Sequence, residues 1–274
     1  MTSSETAKAT RVACWQPAWI GGESGRDDFL ERLARAAAAA ADGGAELLVT
    51  PEMSATGYQL GLARTVELAE PADGALADGV REIAVRNRLA IVYGWPELAD
   101  GGVYNSVQLV GSDGAVAARY RKTHLYGEFD RSVFAPGDRL VVQAKLGSLT
   151  VGLLICYDVE FPETVRAHAL AGTELLVVPT ALVRPWEFVP RTLVAARAFE
   201  SQLFVAYVNW YGAGPHGYCG LGRVVGPDGV LRAEGPGDAE ALFVAEVDRA
   251  AIDASRRATP YLLNRRPELY GAAQ

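Results

Sequence analysis

Apolar and polar residues alternate along this chain in two ways. Short continuous apolar runs predict buried β-strands, whereas apolar residues recurring every three or four positions predict amphipathic helices. A helix is predicted over residues 26–42, where Phe29 and Leu33 share a face and two glycines follow Asp42. Further helices are predicted over residues 80–88, 163–171 and 186–200. Strands are predicted over residues 12–16, 47–50, 90–95, 103–110, 115–121, 140–144, 149–155, 174–179, 204–209, 222–225, 231–234 and 241–247.

The order of these elements predicts an α/β fold with two similar halves. The order of strands and helices in residues 12–121 returns coarsely in residues 149–247. Two sheets, each with helices on its outer face, pack as a four-layer α-β-β-α sandwich. No linker separates the halves, so the sequence predicts one domain over residues 1–274, with a core of about residues 10–250. The basic and aromatic tail, residues 251–274, is expected at a subunit interface.

Composition narrows the partners and the compartment. The 274 residues carry a net charge of −7, which argues against binding nucleic acid or an acidic membrane. Three cysteines form no disulfide framework and suit a reducing compartment, so we expect a cytoplasmic protein. The first residues are polar, which argues against a signal peptide, and no apolar run reaches the ~18–20 residues of a membrane span. Neither zinc-ligand spacing nor a phosphate-binding glycine loop occurs, so no metal or cofactor is expected.

A cysteine at a strand end is the most informative single residue. The apolar run 151–155 stops at Cys156, and Pro162 opens a helix with Glu163 in its first turn. A thiol at the carboxyl end of a strand and close to a helix amino terminus is expected to favour the thiolate. The alternative is a buried structural cysteine, which is a common role for an isolated cysteine.

Two further residues close predicted strands and so belong near Cys156. Glu52 follows the strand at residues 47–50, and Lys122 follows the strand at residues 115–121. Because residues at the carboxyl ends of strands converge on one crevice, Glu52 can serve as general base for the thiol. Lys122 and the backbone N–H of Tyr157 can stabilise the oxyanion, and one such donor is worth about 10²–10³ in rate. Alone, Glu52 would be read as a solvated surface acid.

Three blocks of this sequence, residues 51–53, 120–125 and 156–163, resemble the signature blocks of the nitrilase superfamily of carbon–nitrogen hydrolases. The resemblance runs from Val12 to Val247 and implies a Glu–Lys–Cys triad, an α-β-β-α fold, no cofactor, and homodimers or larger assemblies. It also implies a second glutamate after the lysine block. Glu128 is the candidate, with Asp130 two residues further on.

The residues around the nucleophile favour one branch of that superfamily. Nitrilases usually have Cys-Trp-Glu here, whereas this chain has Cys156-Tyr157-Asp158, which is more usual among amidases. The resemblance therefore implies an amidase that hydrolyses a small aliphatic or amino-acid-type carboxamide through a cysteine thioester. The alternatives are a nitrilase, an ω-amidase or an N-carbamoyl amino-acid hydrolase. A papain-like cysteine–histidine pair with His168, and a catalytically silent binding protein, are less favoured because they leave Glu52 and Lys122 without a role.

Several residues are candidates for substrate binding. Tyr58, Trp186 and Phe188 are expected either to line an acyl pocket or to be ordinary core residues. Arg184 is expected either to bind a substrate carboxylate, as in an ω-amidase, or to pair with Glu187. Tyr157 follows the nucleophile and is expected at the same pocket.

Overall fold

The computed structural model describes residues 9–19, 25–214 and 217–270. Its strands, named in chain order, are β1 (Thr10–Gln16), β2 (Leu47–Val49), β3 (Ala90–Ala99), β4 (Gly102–Val110), β5 (Val116–Arg121), β6 (Gln143–Leu146), β7 (Leu149–Leu153), β8 (Leu175–Pro179), β9 (Phe204–Val208), β10 (Tyr211–Gly212), β11 (Tyr218–Cys219), β12 (Arg223–Val225), β13 (Leu231–Glu234) and β14 (Ala241–Val247).

The α-helices are α1 (Arg26–Asp42), α2 (Leu62–Glu67), α3 (Ala75–Asn87), α4 (Gly127–Val133), α5 (Pro162–Leu170), α6 (Val194–Ser201), α7 (Arg249–Ala258) and α8 (Pro267–Tyr270). A short 3₁₀ helix covers Cys156–Glu160, and a wider π-helical turn, Val189–Leu193, leads into α6. No helix in the described part of the chain has both the length and the apolar character needed to cross a membrane.

Two six-stranded sheets form the centre of the molecule. The first has the order β14-β1-β2-β3-β4-β5, and the second has the order β13-β12-β9-β8-β7-β6. The three inner strands β1, β2 and β3 run parallel, as do β7, β8 and β9. Their neighbours β14, β4, β12 and β6 are antiparallel to them. The edge strands β5 and β13 are antiparallel to β4 and β12, so they run in the same direction as the inner strands. Each half therefore has a parallel centre, and the carboxyl ends of its inner strands point to one edge.

Alternation along the inner strands divides the apolar side chains between two layers. Val49 and Val92 belong, with Leu153 of the second sheet, to the core between the sheets. Leu48 and Ile91 point to the other side, where they pack with α1 and α3. Helices α5 and α6 pack on the second sheet through residues such as Val165 and Ala198. The predicted four-layer α-β-β-α arrangement is confirmed.

The structure corrects the division of the chain into halves. The sequence pattern assigned residues 241–247 to the second half, but β14 pairs antiparallel with β1 in the first sheet, with Ala245 opposite Val12. Contacts between the far ends of the chain explain this placement. Trp15 Nε1 donates to Glu240 Oε1 at 3.1 Å, and Gln16 Nε2 donates to the carbonyl oxygen of Pro236 at 2.6 Å.

Candidate active site

Glu52, Lys122 and Cys156 lie at the edge where the two sheets meet. Lys122 directly follows β5, and Cys156 follows β7 after two more extended residues. Lys122 Nζ donates to Glu52 Oε1 at 2.7 Å, and both side chains are fully buried. The N–H of Glu52 donates to the carbonyl oxygen of Thr180 at 3.3 Å, which links it to the end of β8 in the second sheet.

The Glu52 carboxylate has one occupied and one unoccupied oxygen. Oε1 accepts from Lys122 and from Asn105 Nδ2, the latter at 2.7 Å. Oε2 is buried and has no hydrogen-bond partner among the described residues. Burial raises the pKa of Glu52, although Lys122 partly offsets this. Trp210 Nε1 donates to the Glu52 carbonyl oxygen at 2.8 Å and fixes the backbone there. One oxygen is thus held in place while the other is free to accept a proton.

Lys122 is held between two carboxylates. Its Nζ donates to Asp130 Oδ2 at 2.8 Å as well as to Glu52. Burial lowers the pKa of Lys122, but the charges of Glu52 and Asp130 outweigh burial and the net pKa is well above its ordinary value. Tyr58 donates its hydroxyl hydrogen to Asp130 Oδ1 at 2.6 Å. The amine therefore remains cationic at any pH at which the protein is studied.

Glu128 does not fill the second-acid position, and this prediction is corrected. Glu128 is exposed, whereas Asp130 is fully buried against the lysine. Both residues lie on α4. Residues two apart on an α-helix do not share a face, so only one of the two carboxylates can point at Lys122.

Cys156 occupies a sharp corner of the backbone. Its φ of 45° lies in the left-handed region, which a residue with a side chain rarely adopts. Burial raises the pKa of the Cys156 thiol and Glu52 raises it further, while Lys122 and the Thr180 hydroxyl lower it in part. The net pKa of the thiol is raised, which runs against the expected resting thiolate, because burial outweighs the contributions that lower it. The thiol therefore needs a base to lose its proton.

A buried carboxylate, Asp158, joins the lysine loop to the cysteine corner, and the sequence reasoning assigned it no role. Asp158 Oδ2 accepts from the Tyr120 hydroxyl at 2.8 Å and from the N–H of Ile155 at 3.1 Å. Asp158 Oδ1 accepts from the hydroxyl of Thr123 and the N–H of His124, each at 2.9 Å. A hydrogen bond with Asp158 also raises the pKa of His124. The signal in the sequence was an acid two residues after the nucleophile within an apolar stretch.

A cavity of about 240 Å³ opens over Cys156. Three of the predicted binding residues, Tyr58, Tyr157 and Trp186, line it. Sequence reasoning missed three more polar or aromatic lining residues, which are Gln59, Tyr126 and Glu160.

Two predicted pocket residues lie outside the cavity. The Phe188 side chain is 64% exposed and is not part of the lining. Arg184 donates from Nη1 to Glu187 Oε1 at 3.0 Å and from Nη2 to the carbonyl oxygen of Gly237 at 3.1 Å. Of the two alternatives for Arg184, the structure shows the ion pair with Glu187.

The histidines give Cys156 no partner within the described residues. His168 is buried and its Nδ1 lies 2.9 Å from the Thr173 hydroxyl, and burial lowers its pKa to about 4. His216 lies outside the described residues. Across residues 9–19, 25–214 and 217–270, no three histidine, cysteine or acidic side chains are grouped so that they could hold a metal ion.

Comparison with known proteins identifies the family of this chain. The family model described as carbon-nitrogen hydrolase matches residues 11–257. A Pseudomonas protegens protein named "Hydrolase in pqqF 5'region" is 43% identical over 269 residues, which cover 96% of this chain and 91% of that protein. An (R)-stereoselective amidase from a Pseudomonas species is 40% identical over 253 residues, covering 90% of each chain.

Solved structures of one amidase are also similar. A mutant of the amidase from Nesterenkonia sp. AN1 in complex with butyramide superposes with a TM-score of 0.83 at 31% identity and covers 97% of each chain. Another mutant of that amidase shows covalent addition of the acetamide moiety of fluoroacetamide at its active-site cysteine, with a TM-score of 0.82, 32% identity and 96% coverage of each chain.

Proposed function

Because this chain belongs to the carbon–nitrogen hydrolase family and is an amidase of the nitrilase superfamily, we propose that Glu52, Lys122 and Cys156 carry out its reaction through a thioester. The observation that carries the proposal is the unpartnered Oε2 of Glu52, buried in a site where Glu52 also perturbs the Cys156 thiol. A thiol with a raised pKa beside a free carboxylate oxygen is the arrangement that general-base activation requires.

In the first half of the reaction, Glu52 takes the thiol proton as the sulfur of Cys156 attacks the amide carbon. Negative charge develops on the amide oxygen, where Lys122 Nζ and the N–H of Tyr157 stabilise it. The tetrahedral intermediate collapses as Glu52 returns the proton to the leaving nitrogen, so the C–N bond breaks and ammonia departs. The acyl group is left on sulfur as a thioester.

In the second half, water attacks the thioester carbon while Glu52 accepts a proton from that water. The C–S bond breaks, the thiolate recovers the proton, and the carboxylic acid product leaves. Asp130 acts through Lys122, because its charge and hydrogen bond keep the amine cationic and oriented. The net reaction consumes one water and one amide and yields one carboxylic acid and one ammonia.

We propose a small aliphatic or amino-acid-type carboxamide as the substrate. The cavity holds about 240 Å³, and its lining includes Ala181, Leu182, Val183 and Val189 as well as aromatic rings. Such a volume suits a short acyl chain rather than a peptide. The similar amidase whose mutant was solved in complex with butyramide supports an amide of this size.

Replacing the nucleophile tests this mechanism. We expect Cys156→Ala to abolish ammonia release from a panel of aliphatic amides, amino-acid amides, N-carbamoyl amino acids and matching nitriles, because no other group can form the thioester. Cys14→Ala is the matched control, since Cys14 is a buried free cysteine in β1. Mass spectrometry of the quenched wild-type enzyme should find an acyl adduct on Cys156. Turnover in Cys156→Ala, or an adduct on a different residue, contradicts the mechanism.

We also propose that the protein is a homodimer or a larger homo-oligomer in which the tail is an interface. Within the described part of that tail, Leu263 is 86% exposed, and Tyr261, Leu269 and Tyr270 are partly exposed. Residues 271–274 of the predicted tail lie outside the described residues. Light scattering on the purified wild type should give at least a dimer mass, and Leu263→Lys should shift it toward the monomer. A wild type that is monomeric at micromolar concentration contradicts this proposal.

A cytoplasmic location remains a prediction that rests on the cysteines. Cys14, Cys156 and Cys219 are all free, and the mechanism needs Cys156 as a reduced thiol. Cell fractionation with an antibody to the protein tests it, and recovery in an oxidising compartment is the contrary result.

A further inference from the structure

One charged group in the cavity has no role in the proposed mechanism. Glu160 is the last residue of the 3₁₀ helix that starts at the nucleophile, and its side chain is half-buried in the cavity wall. Its carboxylate forms no hydrogen bond and no ion pair with any described residue. Its backbone is nevertheless fixed, because the carbonyl oxygen accepts from Arg197 Nη2 at 2.6 Å.

The nearest candidate counter-ions are already occupied. Arg197 Nε donates to the carbonyl oxygen of Val159 at 3.1 Å, and Arg197 Nη1 donates to Glu200 Oε1 at 3.0 Å. Lys122 is held by Glu52 and Asp130. Loss of solvent raises the pKa of Glu160, and the charges of Arg197 and Lys122 lower it only in part. A cation that entered the cavity would therefore find a carboxylate that is partly desolvated and unpaired.

The remaining walls suit an ammonium group as well. Tyr126, Tyr157 and Trp186 present aromatic rings, and aromatic faces attract cations through their quadrupoles. No lysine or arginine side chain lines the cavity within the described residues. Arg184, the residue that an ω-amidase reading needs for a substrate carboxylate, is paired with Glu187. Among the described residues, the lining thus combines one carboxylate with aromatic rings and holds no cationic side chain to pair with a substrate carboxylate.

We propose that Glu160 binds a protonated amine in the acyl part of the substrate, so that the preferred substrates are carboxamides bearing an ammonium group rather than monoamides of dicarboxylic acids. This inference rests on the proposed function, since it assigns the substrate class of that same site. Cys156 and Glu160 are four residues apart in a 3₁₀ helix with a rise of about 2.0 Å per residue, so their backbones are separated by about 8 Å along its axis. The glutamate side chain covers part of that distance, which leaves room for an amine a few bonds from the reacting carbonyl.

Pairs of amides of similar size, one charged and one neutral, separate the effect of the substrate's charge from the effect of its size. Alaninamide is compared with isobutyramide, and 5-aminopentanamide with hexanamide, so that an ammonium replaces a methyl group of similar volume in each pair. Succinamate supplies a negative charge. The measured quantity is the ratio of kcat/KM for the charged amide to kcat/KM for its neutral partner, in wild type, Glu160→Gln and Glu160→Lys.

We expect the wild-type ratio to exceed one in at least one pair and to fall about 10- to 100-fold in Glu160→Gln, which is the size of one charge-assisted hydrogen bond. The pair that responds shows whether the α- or the ω-position carries the nitrogen. Glu160→Lys should reverse the preference and raise the relative rate on succinamate. Glu163→Gln is the matched control, because Glu163 is an exposed acid three residues away and outside the cavity.

A ratio that is unchanged in Glu160→Gln in both pairs overturns the inference. The wild type alone gives an independent test if a variant does not fold, because raising the ionic strength should lower kcat/KM for the cationic amides and not for the neutral ones. Cys156-dependent hydrolysis of neutral amides without any preference for cationic amides means that the inference fails and the amidase mechanism stands. No Cys156-dependent hydrolysis of any amide means that the proposed function itself fails.

Discussion

Lys122 lies between two carboxylates that belong to different parts of the chain. Glu52 comes from the end of β2, and Asp130 comes from a helix that follows the lysine loop. A single ion pair would fix the charge of the amine but leave its position less restricted. Two carboxylates, bound by the N–H donors of the ammonium group, fix both its charge and its position. The ammonium group is therefore oriented before the substrate binds.

Comparing Asp130→Asn with Glu128→Gln tests which of the two acids after the lysine block orients Lys122. We expect kcat to fall by up to about 10²-fold, because the oxyanion donor loses a charge that orients it, while the fold is retained. Glu128→Gln should alter kcat by less than a factor of about two, since surface changes of this kind are usually small. Steady-state kinetics on one amide, with circular dichroism of both variants, makes the comparison. Equal losses in the two variants would contradict the assignment of Asp130.

The sequence alone predicted that three of the site residues lie close together, but it did not predict that Asp130 is the second acid. Glu52, Lys122 and Cys156 follow apolar strands within one to three residues, so their convergence follows from the geometry of a sheet. The choice between Glu128 and Asp130 depends on which face of α4 meets the lysine. The raised pKa of Cys156 depends on how much solvent the second sheet excludes, and no local pattern in the chain encodes that.

At the scale of elements, an ion-pair cluster on the first sheet supports the strand that delivers Lys122. Glu97 on β3 accepts from Arg121 Nε at 3.0 Å and Nη2 at 2.6 Å, both across β4. Arg119 and the hydroxyl of Ser106 also approach the Glu97 carboxylate, at 3.1 Å and 2.6 Å. Glu97 is 1% exposed, so the cluster is shielded from solvent on one side. Arg121 immediately precedes Lys122, and the cluster therefore fixes the end of β5.

Glu97→Gln should destabilise the protein in a pH-dependent manner. Burial raises the pKa of Glu97, but its hydrogen bonds with Arg121 and Ser106 outweigh burial and the net pKa is lowered. A depressed pKa gives stability that is present above the ordinary glutamate pKa, about 4.5, and is lost as the pH falls through the folded-state value. We expect a loss of about 2–4 kcal/mol at pH 7. Urea unfolding from pH 7 down to pH 3 should show the difference from wild type shrinking, and a difference that grows would contradict the assignment.

Helix α4 shows why some helices cannot be predicted from the sequence. It has seven residues and begins after Tyr126, whose side chain makes no capping hydrogen bond. Short helices without a capping serine, threonine, aspartate or asparagine lack the usual signal at their start. The sequence pattern therefore predicts no helix over these residues. By contrast, α1 begins at Arg26 and ends at Asp42 as predicted, because its apolar spacing is regular over several turns.

At the scale of the whole molecule, the first sheet is completed by the far end of the chain. Its edge strand β14 follows the second sheet in sequence and returns to pair with β1 over seven residue positions, from Thr10 opposite Val247 to Gln16 opposite Ala241. Most of β14 is only partly buried. The pattern of apolar residues in a partly buried strand does not indicate which of the two sheets it joins. The sequence pattern therefore assigned β14 to the wrong half.

This crossing leads us to propose that the chain is a single cooperative domain. The first sheet is incomplete without β14, which follows the second sheet in the chain, and the core between the sheets is shared. We expect one calorimetric transition, with a van't Hoff enthalpy close to the calorimetric enthalpy per cooperative unit. Two resolved transitions, in the wild type at fixed protein concentration, would contradict this.

The buried carboxylate of Asp158 has a consequence for engineering the protein toward new substrates. It joins the lysine loop to the cysteine corner, while the side chains of Tyr126, Glu160 and Trp186 line the cavity. Reactivity and selectivity thus depend on different side chains, even where those side chains are neighbours in the chain. A library that diversifies positions 126, 160 and 186 can search for a new acyl preference, and one that also varies Asp158 will mostly sample enzymes that have lost their chemistry.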